Sequence, residues 1–253
     1  MAAKPFQTAQ NERSFSGLID DVVLSSGRAQ NLRSIVQYAN LTIRECQAFG
    51  LFARDRIEEQ VMATASPHIW NRPAYFRSVG AVRYGNGGYP RLKLPGRQQI
   101  NVPEYFYAAD DYYVFNGVSA GETISFLNYY WAKPLLYQKA LGVNDGAFPG
   151  APYSVRSAYF DILQDKWQYL NADGDGYVDT TGDADTDAAR QKNSSHWFLE
   201  NWYDMIADGT KAKVFARFDD TDKSNRAYAQ YKASQNLLRN TQGFESEAST
   251  FDG

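Results

Sequence analysis

The chain has 253 residues, of which 43% are hydrophobic and 22% charged, and its formal net charge at pH 7 is −3. This composition is typical of a globular protein, so it excludes wholesale disorder, and the charge does not indicate a strongly basic nucleic-acid binder. A single cysteine excludes an internal disulfide framework, two histidines make a histidine metal site improbable, and the 15% of aromatic residues favours interfaces or a sugar-binding surface.

The first part of the chain predicts two helices. Residues 14–27 form a short one, with Ser14 as the N-cap and Gly27 as the stop. A second helix is predicted at about 28–48, where Cys46 is expected to be a buried core residue rather than a reactive thiol. Its apolar face recurs at helical spacing, at Leu32, Ile35, Val36, Ala39, Ile43 and Cys46.

Residues 51–62 are predicted to continue as helix, because Arg54 and Glu58 are four residues apart. After Pro67 the pattern changes, and residues 73–84 alternate with the period of two that is typical of a strand. Further short strands separated by turns are predicted near 90–94, 98–102, 104–115 and 122–131. Such spacing indicates an antiparallel meander or a small barrel.

Residues 134–153 are rich in Gly and Pro and predict irregular structure, and 171–187 form an acidic loop. Helices are predicted at 154–170, 194–208, 210–218 and about 223–240, the last one capped by Asp222. The sequence therefore predicts an α+β protein, a helix bundle with an inserted antiparallel β-sheet or small β-barrel. The predicted domains are a helical bundle from 1–66 and 134–242, a β module at 67–133 and a flexible C-terminal tail at 243–253.

The acidic loop contains the most motif-like stretch of the chain. It matches the first nine positions of an EF-hand calcium loop, with oxygen ligands at alternate positions and Gly176 at the sharp turn. Asn at position one and Gly182 at position twelve depart from that pattern. The alternative is a solvated acidic loop. The predicted calcium ligands are Asn171, Asp173, Asp175, Tyr177 and Asp179.

The sequence contains no phosphate-binding loop and no nucleophile-elbow motif, and carboxylates beside aromatic residues give only a weak case for a glycosidase. The segment 28–100 holds 11 Arg and Lys residues against four Asp and Glu residues. Strand alternation places Arg77 and Arg83 on one face, which fits contact with a nucleic-acid backbone, a subunit contact or a solvated face equally well. Residues facing nucleic acid are not identified.

The order of these elements over about residues 14–242 resembles the head-to-tail adaptor proteins of tailed bacteriophages, also called head-completion, neck or tail-tubular connector proteins. The acidic loop falls outside this resemblance. The segments that carry it are 70–77 and 111–117 in the insert, 123–135 on the return to the bundle, and the closing helices at 197–218 and 222–240.

The resemblance implies a structural virion protein without enzymatic activity, made in the host cytoplasm and located in the virion neck. About twelve copies would form a ring between the portal protein and a tail or nozzle protein, and double-stranded DNA would pass through it without sequence-specific binding. No membrane partner and no required cofactor are expected, and calcium is the one candidate ion. Phe244 and Phe251 in the tail are the expected portal-binding residues. The alternative is a carbohydrate-binding or receptor-facing virion module.

Overall fold

The structure is a computed structural model that describes residues 13–84, 91–92, 105–108, 111–140, 157–163, 165–170 and 196–249. It combines α-helices with antiparallel sheets, so the predicted α+β class is confirmed. The chain divides into a sheet unit, Leu51–Trp131, and a helical unit that comprises the residues before and after it. The sheet unit begins before the predicted module, because residues 51–62 are not helical.

The first two helices confirm their predictions. Helix α1 spans Phe15–Ser26; the Oγ of Ser14 accepts a hydrogen bond from the N–H of Gly17 at 3.0 Å, and Gly27 ends the helix with φ 65°. A left-handed residue at this position favours glycine, which lacks a Cβ. A short 3-10 turn precedes helix α2, Leu32–Gln47. The predicted apolar face of α2 is buried at Ile35, Val36, Ala39, Ile43 and Cys46.

Strand β1, Arg56–Met62, lies where helix was predicted, so that prediction is wrong. It pairs antiparallel with strand β7, Thr123–Tyr130, from Arg56 opposite Tyr129 to Met62 opposite Thr123. The backbone groups of β1 therefore find their partners far along the chain. This long-range pairing outweighs the local helical spacing on which the prediction relied.

The sheet unit contains two sheets among the described residues, with strand orders β1-β7-β3 and β2-β6-β5-β4. All pairs are antiparallel except β4 with β5, which are parallel. The predicted strand at 73–84 is confirmed, whereas the one at 104–115 is two strands. The remaining strands are β2 (His68–Asn71), β3 (Phe76–Arg83), β4 (Arg91–Leu92), β5 (Tyr105–Ala108) and β6 (Tyr112–Asn116).

Aromatic side chains from both sheets share one buried core. Ile124 and Phe126 on β7 contribute from one sheet, and Phe106 and Phe115 contribute from the other. The rings of Phe115 and Phe126 meet edge to face, with centroids 5.2 Å apart. Such pairs add about 0.5–1.5 kcal/mol beyond the burial of their area, so they help to hold the two sheets together.

The chain returns to the helical unit along α2. The N–H of Ala132 donates to Oε1 of Gln47 at 2.7 Å. Further on, the N–H of Leu135 donates to Oδ1 of Asn40 at 2.6 Å, and Nδ2 of Asn40 donates to the carbonyl of Leu135 at 3.0 Å. The amide side chains of α2 thus replace the backbone partners that the irregular segment lacks.

A small antiparallel sheet follows, of strands β8 (Gln138–Ala140), β9 (Ser157–Asp161) and β10 (Lys166–Leu170) in the order β10-β9-β8. The predicted helix at 154–170 is therefore wrong. Its apolar spacing did not reveal the turn between β9 and β10, where Oδ1 of Asp161 accepts the N–H of Leu163 at 2.8 Å. Asp side chains favour such turns over helix interiors.

Three helices complete the helical unit: α3 (Trp197–Asn201), α4 (Tyr203–Arg217) and α5 (Thr221–Ser249). Helix α4 packs against α1, α2 and α5. The sequence predicts a helix break at residue 209, but the break falls at Trp202. Asp220, not Asp222, caps α5, because its Oδ1 accepts the N–H of Lys223 at 3.4 Å. Helix α5 also continues to Ser249, beyond the predicted end near residue 240.

Candidate functional site

A groove of about 520 Å³ opens where the end of α2 meets α4 and α5. Small residues on one face of α4 leave this space, since residues three and four apart on a helix are neighbours. Its apolar lining consists of Ala48, Phe49, Gly209, Ala212, Ala216 and Tyr228. Its polar lining consists of Glu45, Lys213, Ser224, Tyr231, Lys232 and Gln235.

Gly209 allows the three helices to meet below the groove. A Cβ at this position would lie 2.6 Å from Cγ2 of Thr42 on α2 and 2.8 Å from Cε2 of Tyr231 on α5. Both distances are shorter than packed carbon atoms tolerate, so any larger residue would force the helices apart. Glycine inside a helix costs about 1 kcal/mol relative to alanine, and here it permits close packing.

A polar network connects the three helices beneath the groove. Nζ of Lys213 lies 2.7 Å from Oε2 of Glu45 and donates to Oγ1 of Thr42 at 3.2 Å. The hydroxyl of Tyr231 lies 3.3 Å from the same Glu45 oxygen and 3.6 Å from Sγ of Cys46. The carboxylate therefore has both a cation and a phenol as partners. These contacts hold a partly exposed carboxylate in one position at the groove.

The phenol and the thiol of this network are held in their neutral forms. Burial raises the pKa of Cys46 to about 12, and burial, together with the neighbouring Cys46 and Glu45, raises the pKa of Tyr231. At neutral pH neither group is ionised, so neither is poised as a nucleophile or a base. The prediction that Cys46 is a buried core residue is confirmed.

The rim of the groove is cationic and aromatic. Nζ of Lys232 donates to Oε1 of Gln235 at 3.0 Å and lies 5.3 Å from the ring centroid of Tyr228. The guanidinium of Arg239 lies 4.5 Å from the ring centroid of Phe49, which lines the groove. The groove thus offers an apolar floor with positive charge at its edge. Such a surface suits an acidic segment that carries an apolar side chain.

Helix α1 presents a different surface on the same unit. Asp20 accepts a 2.6 Å hydrogen bond from the hydroxyl of Tyr137, and Asp21 accepts one of 2.6 Å from Tyr203. Both aspartates are exposed, and Leu24, one turn later, is 81% exposed. The exposed face of α1 is therefore acidic, with an apolar side chain beside the two carboxylates.

The arginines predicted to share a strand face in the sheet unit lie in different environments. Arg77 is half-buried, and its guanidinium lies 4.4 Å from the ring centroid of Trp131. Its burial lowers the pKa of Arg77, and the charge of Asp55 counteracts this. Arg83 is exposed. The register of β3 shifts at two places between Phe76 and Ala81, which interrupts the alternation on which the prediction relied.

The predicted ligand and anchor residues fall outside the side chains that the structure describes. Phe244 belongs to α5 by its backbone, whereas Phe251 lies after the last described residue. Among residues 13–249, apart from the gaps stated above, no group of three or more His, Cys, Asp or Glu side chains is placed to hold a metal ion. The candidate calcium ligands, all outside the described residues, are Asn171, Asp173, Asp175, Tyr177 and Asp179.

Neither the groove nor the acidic face of α1 was predicted from the sequence. The one available signal was Gly209 in an otherwise helical segment, which indicates a packing reason. No protein-family model matches the chain, and no curated protein matches it at a significant level of sequence similarity. None of the described helices combines the length and the apolar character that a membrane-crossing helix requires.

Proposed function

We propose that the chain is a structural subunit of a tailed-phage neck, a head-to-tail adaptor that forms a ring between portal and tail. The observation that carries the proposal is its organisation: helices from both ends of the chain pack together, with a sheet unit inserted between them. The hydrogen bond from Tyr203 to Asp21 and the Cys46–Tyr231 contact join these distant segments. This is the arrangement that the resemblance implies.

The proposed role is non-catalytic. At the groove, Lys213 is paired with Glu45 at 2.7 Å. The thiol of Cys46 and the phenol of Tyr231 stay protonated. Those groups hold helices together rather than face a reacting bond. Exposed apolar side chains such as Leu24 and Leu41 support a protein whose surfaces become buried in an assembly.

The proposal is tested by the composition of virus particles. Quantitative mass spectrometry of purified particles, before and after the tail fibres are stripped, would give the copies of this chain per portal protein and per major capsid protein. A copy number that matches the portal and survives stripping is expected for a neck ring. Absence from particles, or a copy number that follows the fibres, would overturn the adaptor assignment.

The portal is the proposed partner of the C-terminal tail, with Phe244 and Phe251 as anchors. Truncation after residue 242 retains the buried α5 residues Ala227, Tyr231 and Leu238, so the helical unit should fold. We expect the truncated chain to lose attachment to purified portal while its melting temperature is nearly unchanged. Replacement of Phe244 and Phe251 with alanine in the full-length chain should have the same effect, and normal attachment would refute this role.

A carbohydrate-binding or receptor-facing module remains the second candidate. It is favoured by tyrosines that are more than one-third exposed in the sheet unit, namely Tyr75, Tyr107 and Tyr112. Aromatic faces of this kind stack on sugars and on other apolar surfaces. Binding of the purified chain to specific members of a glycan array would support this module, whereas an array without binding would count against it.

A further inference from the structure

The helical unit carries two unlike surfaces on opposite sides of α4. Tyr203, which donates to Asp21 of α1, and Ala212, which lines the groove, are nine residues apart on this helix. Nine residues correspond to about two and a half turns, so these two side chains point in opposite directions from the helix axis. The acidic face of α1 and the groove therefore lie on different sides of α4.

The acidic face has a defined shape and charge. Asp20, Asp21 and Leu24 are exposed on neighbouring turns of α1, and the helix contains no Lys or Arg. The next basic residue, Arg28, places its guanidinium 4.6 Å from the ring centroid of Phe218. Leu24, at 81% exposure, is the most exposed large apolar side chain among the described residues of the helices. It projects beside two carboxylates that their tyrosine partners hold in place.

The groove has the complementary character. Small side chains of α4 and the ring of Phe49 form its apolar floor, and Lys232 and Arg239 lie at its edge. Glu45, which lies in the groove, is already paired with Lys213. Lys232 contacts the uncharged Gln235 and Tyr228, and Arg239 contacts the ring of Phe49, so both cations can attract carboxylates from another chain. An exposed leucine flanked by two aspartates fits such a groove in both polarity and charge.

We propose that the exposed face of α1 in one copy docks into the α2–α4–α5 groove of a second copy, with Leu24 on the apolar floor and Asp20 and Asp21 near Lys232 and Arg239. Because the two surfaces differ, the contact is head-to-tail, and each copy keeps one free surface of each kind. Such a contact builds a ring if its rotation closes. Here the inference rests on the proposed function, because the contact is the interface between neighbouring subunits of the proposed ring.

Charge exchange tests the contact. Sedimentation velocity over a concentration series of the full-length chain would compare the wild type with Leu24→Lys, Asp20→Lys, Lys232→Glu and the variant that carries both of the last two changes. We expect each single variant to raise the dissociation constant about tenfold or more, because it removes apolar burial or places like charges together. The variant with both changes should recover part of the affinity, because opposite charges then face each other.

A matched control is Leu237→Lys. Leu237 is 58% exposed on α5, but it follows Lys232 by five residues and so lies about 140° around the helix. This change should leave association unaffected, and circular dichroism would establish that all variants fold. A double variant whose loss equals the sum of the single losses would overturn the contact.

Two further outcomes separate this inference from the adaptor function. A wild-type chain that stays monomeric up to about 1 mM would overturn the contact, without affecting the copy number found in particles. A photo-crosslinker in place of Leu24, in assembled particles, should capture peptides of a second copy that contain Phe49, Tyr228 or Lys232. Capture of a different protein instead would overturn the contact while supporting a place in the virion.

Discussion

The ring of Tyr231 occupies the space in which a side chain at Gly209 would lie. A Cβ at residue 209 would lie 2.8 Å from Cε2 and 2.9 Å from Cδ2 of that ring. This contact sets the separation of α4 and α5, and with it the width of the groove between them. A small change at one helix position is therefore expected to alter both stability and the groove.

Gly209→Ala should destabilise the helical unit by about 1–3 kcal/mol, because the added methyl group overpacks the contact with Thr42 and Tyr231. Urea unfolding would measure the loss. The control Ala233→Gly, at an exposed position of α5, should cost about 1 kcal/mol through helix propensity alone. If Gly209→Ala stabilised the protein instead, as propensity alone would favour, the close packing would be contradicted.

Glu59 should contribute to the sheet unit far more than its neighbour Glu58. Its Oε2 accepts 2.7 Å hydrogen bonds from Nδ2 of the fully buried Asn128 and from the hydroxyl of Tyr130. Glu59→Ala leaves the buried amide without its partner, so we expect a loss of about 2–3 kcal/mol in unfolding experiments. Glu58→Ala, at an exposed position, should change stability by less than about 0.5 kcal/mol. Equal effects would contradict the assigned contacts.

Stability should fall steeply in alkali. Burial together with an adjacent carboxylate raises the pKa of four tyrosines in the folded state, whereas the unfolded value is near 10. Above about pH 10 the unfolded chain loses these protons and the folded chain keeps them, so each tyrosine removes about 1.4 kcal/mol per pH unit. The four are Tyr130, Tyr137, Tyr203 and Tyr231.

Urea unfolding between pH 9 and 11, with phenolate absorbance recorded in parallel, would measure this slope. Cys46, whose folded pKa is about 12, should add to the loss from about pH 9 upward. Tyr203→Phe should reduce the slope by about one tyrosine's share. An unchanged slope in that variant would show that this phenol ionises equally in both states.

His68 should make the sheet unit sensitive to acid. The side chain is 7% exposed, its Nδ1 accepts the N–H of Thr64 at 3.3 Å, and burial lowers its pKa. The unfolded chain therefore takes up a proton below about pH 6.5 while the folded chain resists it, so stability is lost as pH falls. Thermal unfolding at pH 7 and pH 5 would show this loss. His68→Gln should reduce it, whereas His196→Gln should leave it in place.

The acidic loop remains a predicted calcium site. If Asp173 and Asp175 ligate calcium, the melting temperature should rise with calcium and fall with EDTA, because a ligand that binds only the folded chain stabilises it. The double change of both residues to Asn should abolish the difference, whereas Asp222→Asn should not. Equal melting temperatures with calcium and EDTA would retire the site.

Local signals predicted the elements whose stabilising contacts are themselves local. Ser14, Gly27 and the apolar periodicity of α2 act within a few residues, and these helices lie where expected. Strand β1 was missed because its partner, β7, lies far along the chain, and β9 and β10 were missed because apolar spacing did not reveal the turn that joins them. Gly209 falls between two predicted helices, whereas it lies inside α4, and its packing depends on Tyr231, which no local pattern indicates.

The groove was beyond prediction for a related reason. Its lining comes from three helices at opposite ends of the chain, and their separation depends on how side chains interlock. The same holds for the exposed Leu24. A leucine on a short amphipathic helix is expected to be buried, and only the packed unit shows that this one faces outward.

The chain enters the sheet unit a few residues after Gln47, the last residue of α2. When it returns, the N–H of Ala132 donates to the side chain of that same Gln47. The chain thus leaves and re-enters the helical unit at the C-terminal end of α2, so the segment Leu51–Trp131 is an insertion at a single point. A segment of different length or surface, with its two ends close together, could occupy the same attachment point while the helices stay as they are. We therefore expect the sequences of relatives to differ most between Gln47 and Ala132, and to keep a side-chain amide at position 47.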